Sequence, residues 1–116
     1  MERWEQIARQ MYRHEMEAVC RYLEGEAAAG RTVEYSRIFE RVSGTGRFNI
    51  GGILGAISTD SLHERQVMLS AIVILHDQQR PSDGFFTCAR GLGLTFSDQE
   101  EFWIEQVRQV FLAYQR

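Results

Sequence analysis

The stretch Val67-Met68-Leu69-Ser70-Ala71-Ile72-Val73-Ile74-Leu75 decides how this chain reads. Every residue in it except Ser70 is apolar, and β-branched Val and Ile crowd its second half. That pattern predicts a strand buried on both faces. The rest then reads as helices laid against the strand, with a hairpin-like return through Pro81, the sole proline.

Working backwards, residues from about 50 to 63 predict a helix. Asn49 stands as its N-cap, and Ile50, Ile53, Leu54, Ile57 and Leu62 form its apolar stripe. Gly51, Gly52 and Gly55 are costly there, at about 1 kcal/mol each against Ala. Close approach of a packing partner, or of a ligand to backbone, is the usual reason for such a cost. Before it, Ser43-Gly44-Thr45-Gly46 breaks the chain after a shorter helix. That helix runs from an expected cap at Thr32 to about Val42, with Val33, Ile38, Phe39 and Val42 inward. Residues 3–24 predict one long amphipathic helix, with Trp4, Ile7, Ala8, Met11, Tyr12, Val19, Tyr22 and Leu23 on its apolar face.

Working forwards, residues 76–84 form a polar turn with Pro and Asp-Gly punctuation. Gly84-Phe85-Phe86 then either continues as a short partner strand or opens a short helix through Arg90. Ser97-Asp98-Gln99-Glu100 is a capping box that starts a terminal helix to about Tyr114. Its inward residues are Phe102, Trp103, Val107, Val110, Phe111 and Tyr114. The expected fold is therefore α+β and mainly helical. It is a winged-helix-like helix-turn-helix with a short β hairpin, flanked by long N- and C-terminal helices, in a single domain spanning residues 1–116.

With 116 residues, 44% hydrophobic and 25% charged, the chain has the make-up of an ordinary globular protein that needs no metal or disulfide staple. Its apolar runs are too short for a membrane span, and the N-terminus has no signal-peptide design. Cys20 and Cys88 are far apart in sequence, so neither a disulfide framework nor a zinc signature is present. These features lead to the expectation of a cytoplasmic protein with reduced thiols, no membrane association and no cofactor. All basic residues are arginine, and the net charge of −3 disfavours wholesale attraction to nucleic acid or anionic membranes. Residues 31–47 are the exception, with Arg31, Arg37, Arg41 and Arg47 against Glu34 and Glu40.

Val33-Glu34-Tyr35-Ser36-Arg37-Ile38 and Ile50-Gly51-Gly52-Ile53-Leu54 resemble two helices of the DNA alkyltransferase and alkyltransferase-like family, across about residues 32–86. The resemblance implies a winged-helix core whose second helix reads DNA. That family follows its recognition helix with Pro-Cys-His-Arg, and the aligned positions here are Ser70, Ala71, Ile72 and Val73. The acceptor thiol and its activating His are absent, so alkyl transfer is not implied. The family's arginine finger falls on Phe48, with Arg47 one residue away. Met68 to Val73, Pro81-Ser82, Gly84-Phe85-Phe86, Ala89 and Gly91-Leu92-Gly93 are in turn similar to a family of small uncharacterised bacterial proteins. That similarity implies no activity.

Among chemical constellations, His14 and Glu17 would give a metal only two ligands. His76-Asp77 with Asp83 suits a polar turn as well as acid–base work. Cys88 near Arg90 reads as a small core residue or an activated thiolate. The 43–49 turn, ahead of a helix N-terminus, suggests a ligand loop of Gly44, Gly46, Gly51 and Gly52. Tyr35, Arg37, Arg41, Arg47 and Asn49 are the candidate contacts for nucleic acid or an anion. Asp60 and Glu64 on the second helix oppose phosphate. The expectation is a non-enzymatic binding module for a protein partner or small ligand. The alternative is a winged-helix DNA binder contacting phosphates through the Arg31–Arg47 segment.

Overall fold

The computed structural model describes residues 3–115 of the chain. Its elements are mainly helical: α1 (Arg3–Met11), α2 (Arg13–Ala28), α3 (Tyr35–Arg41), α4 (Ile50–Arg65), α5 (Asp83–Gly91) and α6 (Gln99–Tyr114). Two short strands, β1 (Val33–Glu34) and β2 (Val73–Ile74), complete it, with a 3-10 turn at Leu69–Ile72. The mainly helical α+β class is as expected. The hairpin is not: β2 pairs with β1, in parallel, with Val33 opposite Val73 and Glu34 opposite Ile74. Gly84-Phe85-Phe86 takes the helical option and opens α5.

The apolar run 67–75 is buried from Val67 through Ile74, but only Val73 and Ile74 are strand. The first part has no ladder partner, so side chains satisfy its backbone polar groups. Ser61 Oγ donates to the Val67 carbonyl at 2.8 Å and accepts from the Leu69 amide at 3.0 Å. Ser58 Oγ accepts from the Ser70 amide at 3.0 Å and donates to Ser70 Oγ at 2.6 Å. From α6, Gln106 Oε1 accepts from the Met68 amide at 3.1 Å, and Trp103 Nε1 donates to the Ala71 carbonyl at 2.8 Å. Clamped between α4 and α6, the segment has no need of a strand on either side.

α4 is the axis of the molecule. It is buried at Ile50, at Gly52 through Ser58 and at Ser61. α1 and α2 lie against it, and α2 and α6 close over the 3-10 turn. The expected single N-terminal helix is broken at Tyr12, whose φ of −126° and ψ of 35° leave helical geometry. The break lets α1 lie along α4 while α2 turns Val19, Leu23 and Ala27 into the core.

Three expected caps shift. Glu34 precedes the first helical residue of α3, so Thr32 caps nothing, because residues 33–34 are taken by β1. Asp98, not Ser97, caps α6, its carboxylate accepting from the Glu101 amide at 3.0 Å. Asn49 does precede α4, but its side chain reaches backwards into the 43–46 turn instead of capping the helix. Among the described residues no helix is long and apolar enough to cross a membrane.

Candidate functional site

Two glycines determine how closely α1 approaches α4. A Cβ on Gly52 would run into the backbone carbonyl of Trp4, and one on Gly55 would sit 2.9 Å from Glu5 Oε1. α1 is pinned there by Arg9, whose guanidinium forks onto Asp60 (2.8 and 3.1 Å) and reaches the Ala56 carbonyl at 3.3 Å. The glycine expectation therefore holds for Gly52 and Gly55, with α1, not the 67–75 run, as the packing partner. Gly51 differs: a Cβ there meets nothing within 4 Å.

Beyond this contact the helices part, leaving a cleft of about 610 Å³ between α1, the start of α4 and α5. One wall carries Trp4 and Ile7, with Tyr12 at the helix break. Phe48 and Arg47 line it from the turn before α4, and Thr87 and Cys88 from α5. Gly51 leaves α4 backbone bare at the cleft, while Gly52 and Gly55, which also line it, are covered by Trp4 and Glu5 of α1. Trp4 and Phe48 are 64% and 70% exposed, high for aromatic side chains beside a cavity. Tyr12 meets Phe48 edge-on, ring centres 6.1 Å apart. A smaller hollow of about 70 Å³ adjoins it, sharing Gly51, Gly55, Gly84 and Cys88 and adding Tyr35, Ser70 and Ser82.

Glu5 lines the cleft and is only 5% exposed. Its Oε1 lies 2.9 Å from Thr59 Oγ1 and 4.0 Å from Cys88 Sγ. The same Thr59 hydroxyl is 2.9 Å from the Gly55 carbonyl. One hydroxyl proton serves only one of these acceptors at a time.

Compared with protein-family models, curated proteins and solved structures, the chain matches none. The geometry therefore carries the functional argument.

The residues singled out from sequence are dispersed. Arg47, Asn49, Gly51 and Gly52 meet at the cleft. Tyr35 lines the smaller hollow, its hydroxyl 3.0 Å from Ser82 Oγ, and burial pushes its phenol up. Arg37 is exposed and lies 3.5 Å from Glu40, while Arg41 sits 5.5 Å from the centre of the Tyr22 ring. The 43–46 turn does not offer a nest of free amides. The Gly46 amide donates to Asn49 Oδ1 at 3.0 Å, Asn49 Nδ2 donates to the Gly44 carbonyl at 2.8 Å, and the Thr45 amide bonds the Val42 carbonyl. Gly44, at φ 86°, has the Glu15 carboxylate beside it, which disfavours an anion. Gly44 and Gly46 thus shape the turn, while Gly51 and Gly52 face the cleft.

Glu5 is the residue that sequence reading missed. The signal is an acid at position 5 on the helical stripe that also carries apolar Ala8 and Tyr12, directly after Trp4. No group of three or more potential metal ligands clusters among the described residues.

Proposed function

We propose that this chain is a binding module that holds a small, largely apolar ligand in the α1–α4–α5 cleft without reacting with it. The observation that carries this reading is the pair of exposed aromatics, Trp4 and Phe48, flanking a cleft where Gly51 leaves helix backbone open. Large apolar side chains held in water beside a concavity are the usual mark of a surface meant to be covered. The cleft volume falls within the range of about 300–1,000 Å³ typical of small-ligand pockets. The sequence α3, turn, α4, β2 follows the order of a winged helix, here read as a scaffold for the cleft and not as a DNA reader. In such a reader α4 would have to enter a groove, and α1 covers its Gly52–Gly55 face.

The test uses the neutral fluorophore N-phenyl-1-naphthylamine. The expected result is saturable one-to-one binding with energy transfer from Trp4, abolished in Gly51→Leu and weakened in Phe48→Ala. A Cβ at Gly51 meets nothing within 4 Å, so a leucine there is expected to reach into the cleft with the fold retained. Binding unchanged in both variants would sink the proposal.

A further inference from the structure

Glu5 is a carboxylate with little compensation. A buried carboxylate is normally held by a cation and by several hydrogen bonds, because its desolvation is costly. Among the described residues the hydroxyl on it is that of Thr59, shared with the Gly55 carbonyl. The Cys88 thiol, at 4.0 Å, is a weak donor. Among the described residues no cation lies within ion-pair distance of it. Arg9, whose guanidinium bonds Asp60 and the Ala56 carbonyl, interacts with its charge through space.

Its second oxygen, Oε2, finds no donor in the described chain, yet no buried side-chain oxygen or nitrogen is left without a partner. Oε2 is therefore not sealed inside protein. Glu5 lines the cleft, so a ligand seated there comes up against this side chain. The walls beside it are aromatic, and aromatic faces attract cations as well as apolar groups. Arg47 stands at the same cleft but is exposed, where solvent screens its repulsion.

Resting on the cleft reading above, we propose that the ligand carries a cationic nitrogen, an amine or guanidine on an apolar body, seated against the Glu5 carboxylate. The nitrogen supplies a positive charge that the described residues do not place beside Glu5, and the body lies between Trp4, Ile7 and Phe48.

Titration calorimetry of the full chain with phenethylamine, phenethyl alcohol and hydrocinnamate separates the possibilities, since the three share a body and differ in headgroup charge. The amine is expected to bind about tenfold tighter than the alcohol, or better, with the acid weakest; a tenfold ratio corresponds to about 1.4 kcal/mol. In Glu5→Gln, nearly isosteric, the amine's advantage should vanish while the neutral fluorophore still binds. Bound amine should also slow alkylation of Cys88, which adjoins Glu5. Equal affinity for amine and alcohol in the unaltered protein overturns the inference, whatever the variant does. So does an amine preference that survives Glu5→Gln. If the fluorophore binds and the amine shows no preference, the cleft reading stands and this inference fails. If neither the fluorophore nor any of the three binds, both fail.

Discussion

A methyl group added at Gly52 would meet the Trp4 carbonyl, and backbone cannot swing aside; added at Gly51 it meets nothing within 4 Å. Gly52→Ala should therefore destabilise by about 1–3 kcal/mol through overpacking. Gly51→Ala should stabilise by up to about 1 kcal/mol through helix propensity. In thermal melts these translate to roughly 3–6 °C per kcal/mol for a chain of this length. Two shifts of the same sign would mean that α1 does not lie on α4 as described. The thiols offer a second contrast. Cys20 is half-buried; burial first, then Glu24, Glu64 and Asp60, pushes its thiol up to about 11. Its alkylation by iodoacetamide, followed by peptide mass spectrometry, should keep rising nearly tenfold per pH unit from pH 8 to 10. An unperturbed thiol levels off near about 8.5, and such levelling at Cys20 would contradict its burial.

At the scale of elements, the 67–75 run shows what periodicity can and cannot deliver. Burial on all sides was legible because eight of nine residues are apolar. Strand geometry was not, because a buried backbone needs only partners for its polar groups, and serines of α4 supply them as well as a neighbouring strand would. Ser58 and Ser61, polar residues on the apolar helix α4, are both buried and hydrogen-bond the run. Ser58→Ala leaves the Ser70 amide without its acceptor, and Ser61→Ala does the same to Leu69. Each should cost about 1–3 kcal/mol in urea denaturation, against almost nothing for exposed Ser43→Ala. The break at Tyr12 was illegible for a related reason: the 3/4 spacing of apolar residues runs on through it, and only tertiary packing against Gly52 and Gly55 decides where the helix bends. The cleft follows from that bend, so its aromatic wall could be read as core but not as a site.

The short sheet carries a pH-dependent clasp. Glu34 Oε2 accepts at 3.0 Å from His76 Nδ1 just beyond the paired strands. That bond, ahead of the Gln79 amide, holds the Glu34 carboxyl below its ordinary value, and the same bond holds His76 above its own. The His76 contribution is fully present below its ordinary value of about 6.5 and fades as pH rises through its raised one. The Glu34 contribution is present above about 4.5 and fades as pH falls through its lowered one. The stability difference between the protein and His76→Gln should thus be greatest between about pH 4.5 and 6.5. It should shrink on both sides, as read from denaturation midpoints across pH. A difference that grew steadily towards pH 9 would rule out this clasp.

On the scale of the whole molecule, the question is whether the arginines of residues 31–47 act as one phosphate-binding surface. Four cations in seventeen residues suggest it in sequence, but the fold assigns them separate duties. Arg31 pairs with Glu26 at 2.5 Å and Arg37 with Glu40 at 3.5 Å. Arg41 lies over Tyr22, and Arg47 stands at the cleft. Two of the four are therefore already neutralised, and the chain as a whole carries a net charge of −3. Displacing Glu26 and Glu40 in favour of phosphate costs little at an exposed surface, but it also leaves two carboxylates facing the duplex. Affinity for duplex DNA grows with the number of phosphates neutralised, at a slope of about 0.9 in log K per contact against log salt. With no more than Arg41 and Arg47 unpaired by acids in this segment, a slope of about 2 or less is expected. Binding at 150 mM salt should be weaker than about 100 μM, the weak end of the usual range for non-specific contacts. Gel shifts at 50 and 150 mM salt with a random-sequence duplex measure both quantities. Micromolar binding with a slope near 4, reduced by one in Arg47→Ala and again in Arg37→Ala, would show that the four act together. The winged-helix DNA reading would then displace the cleft as the account of what this chain does.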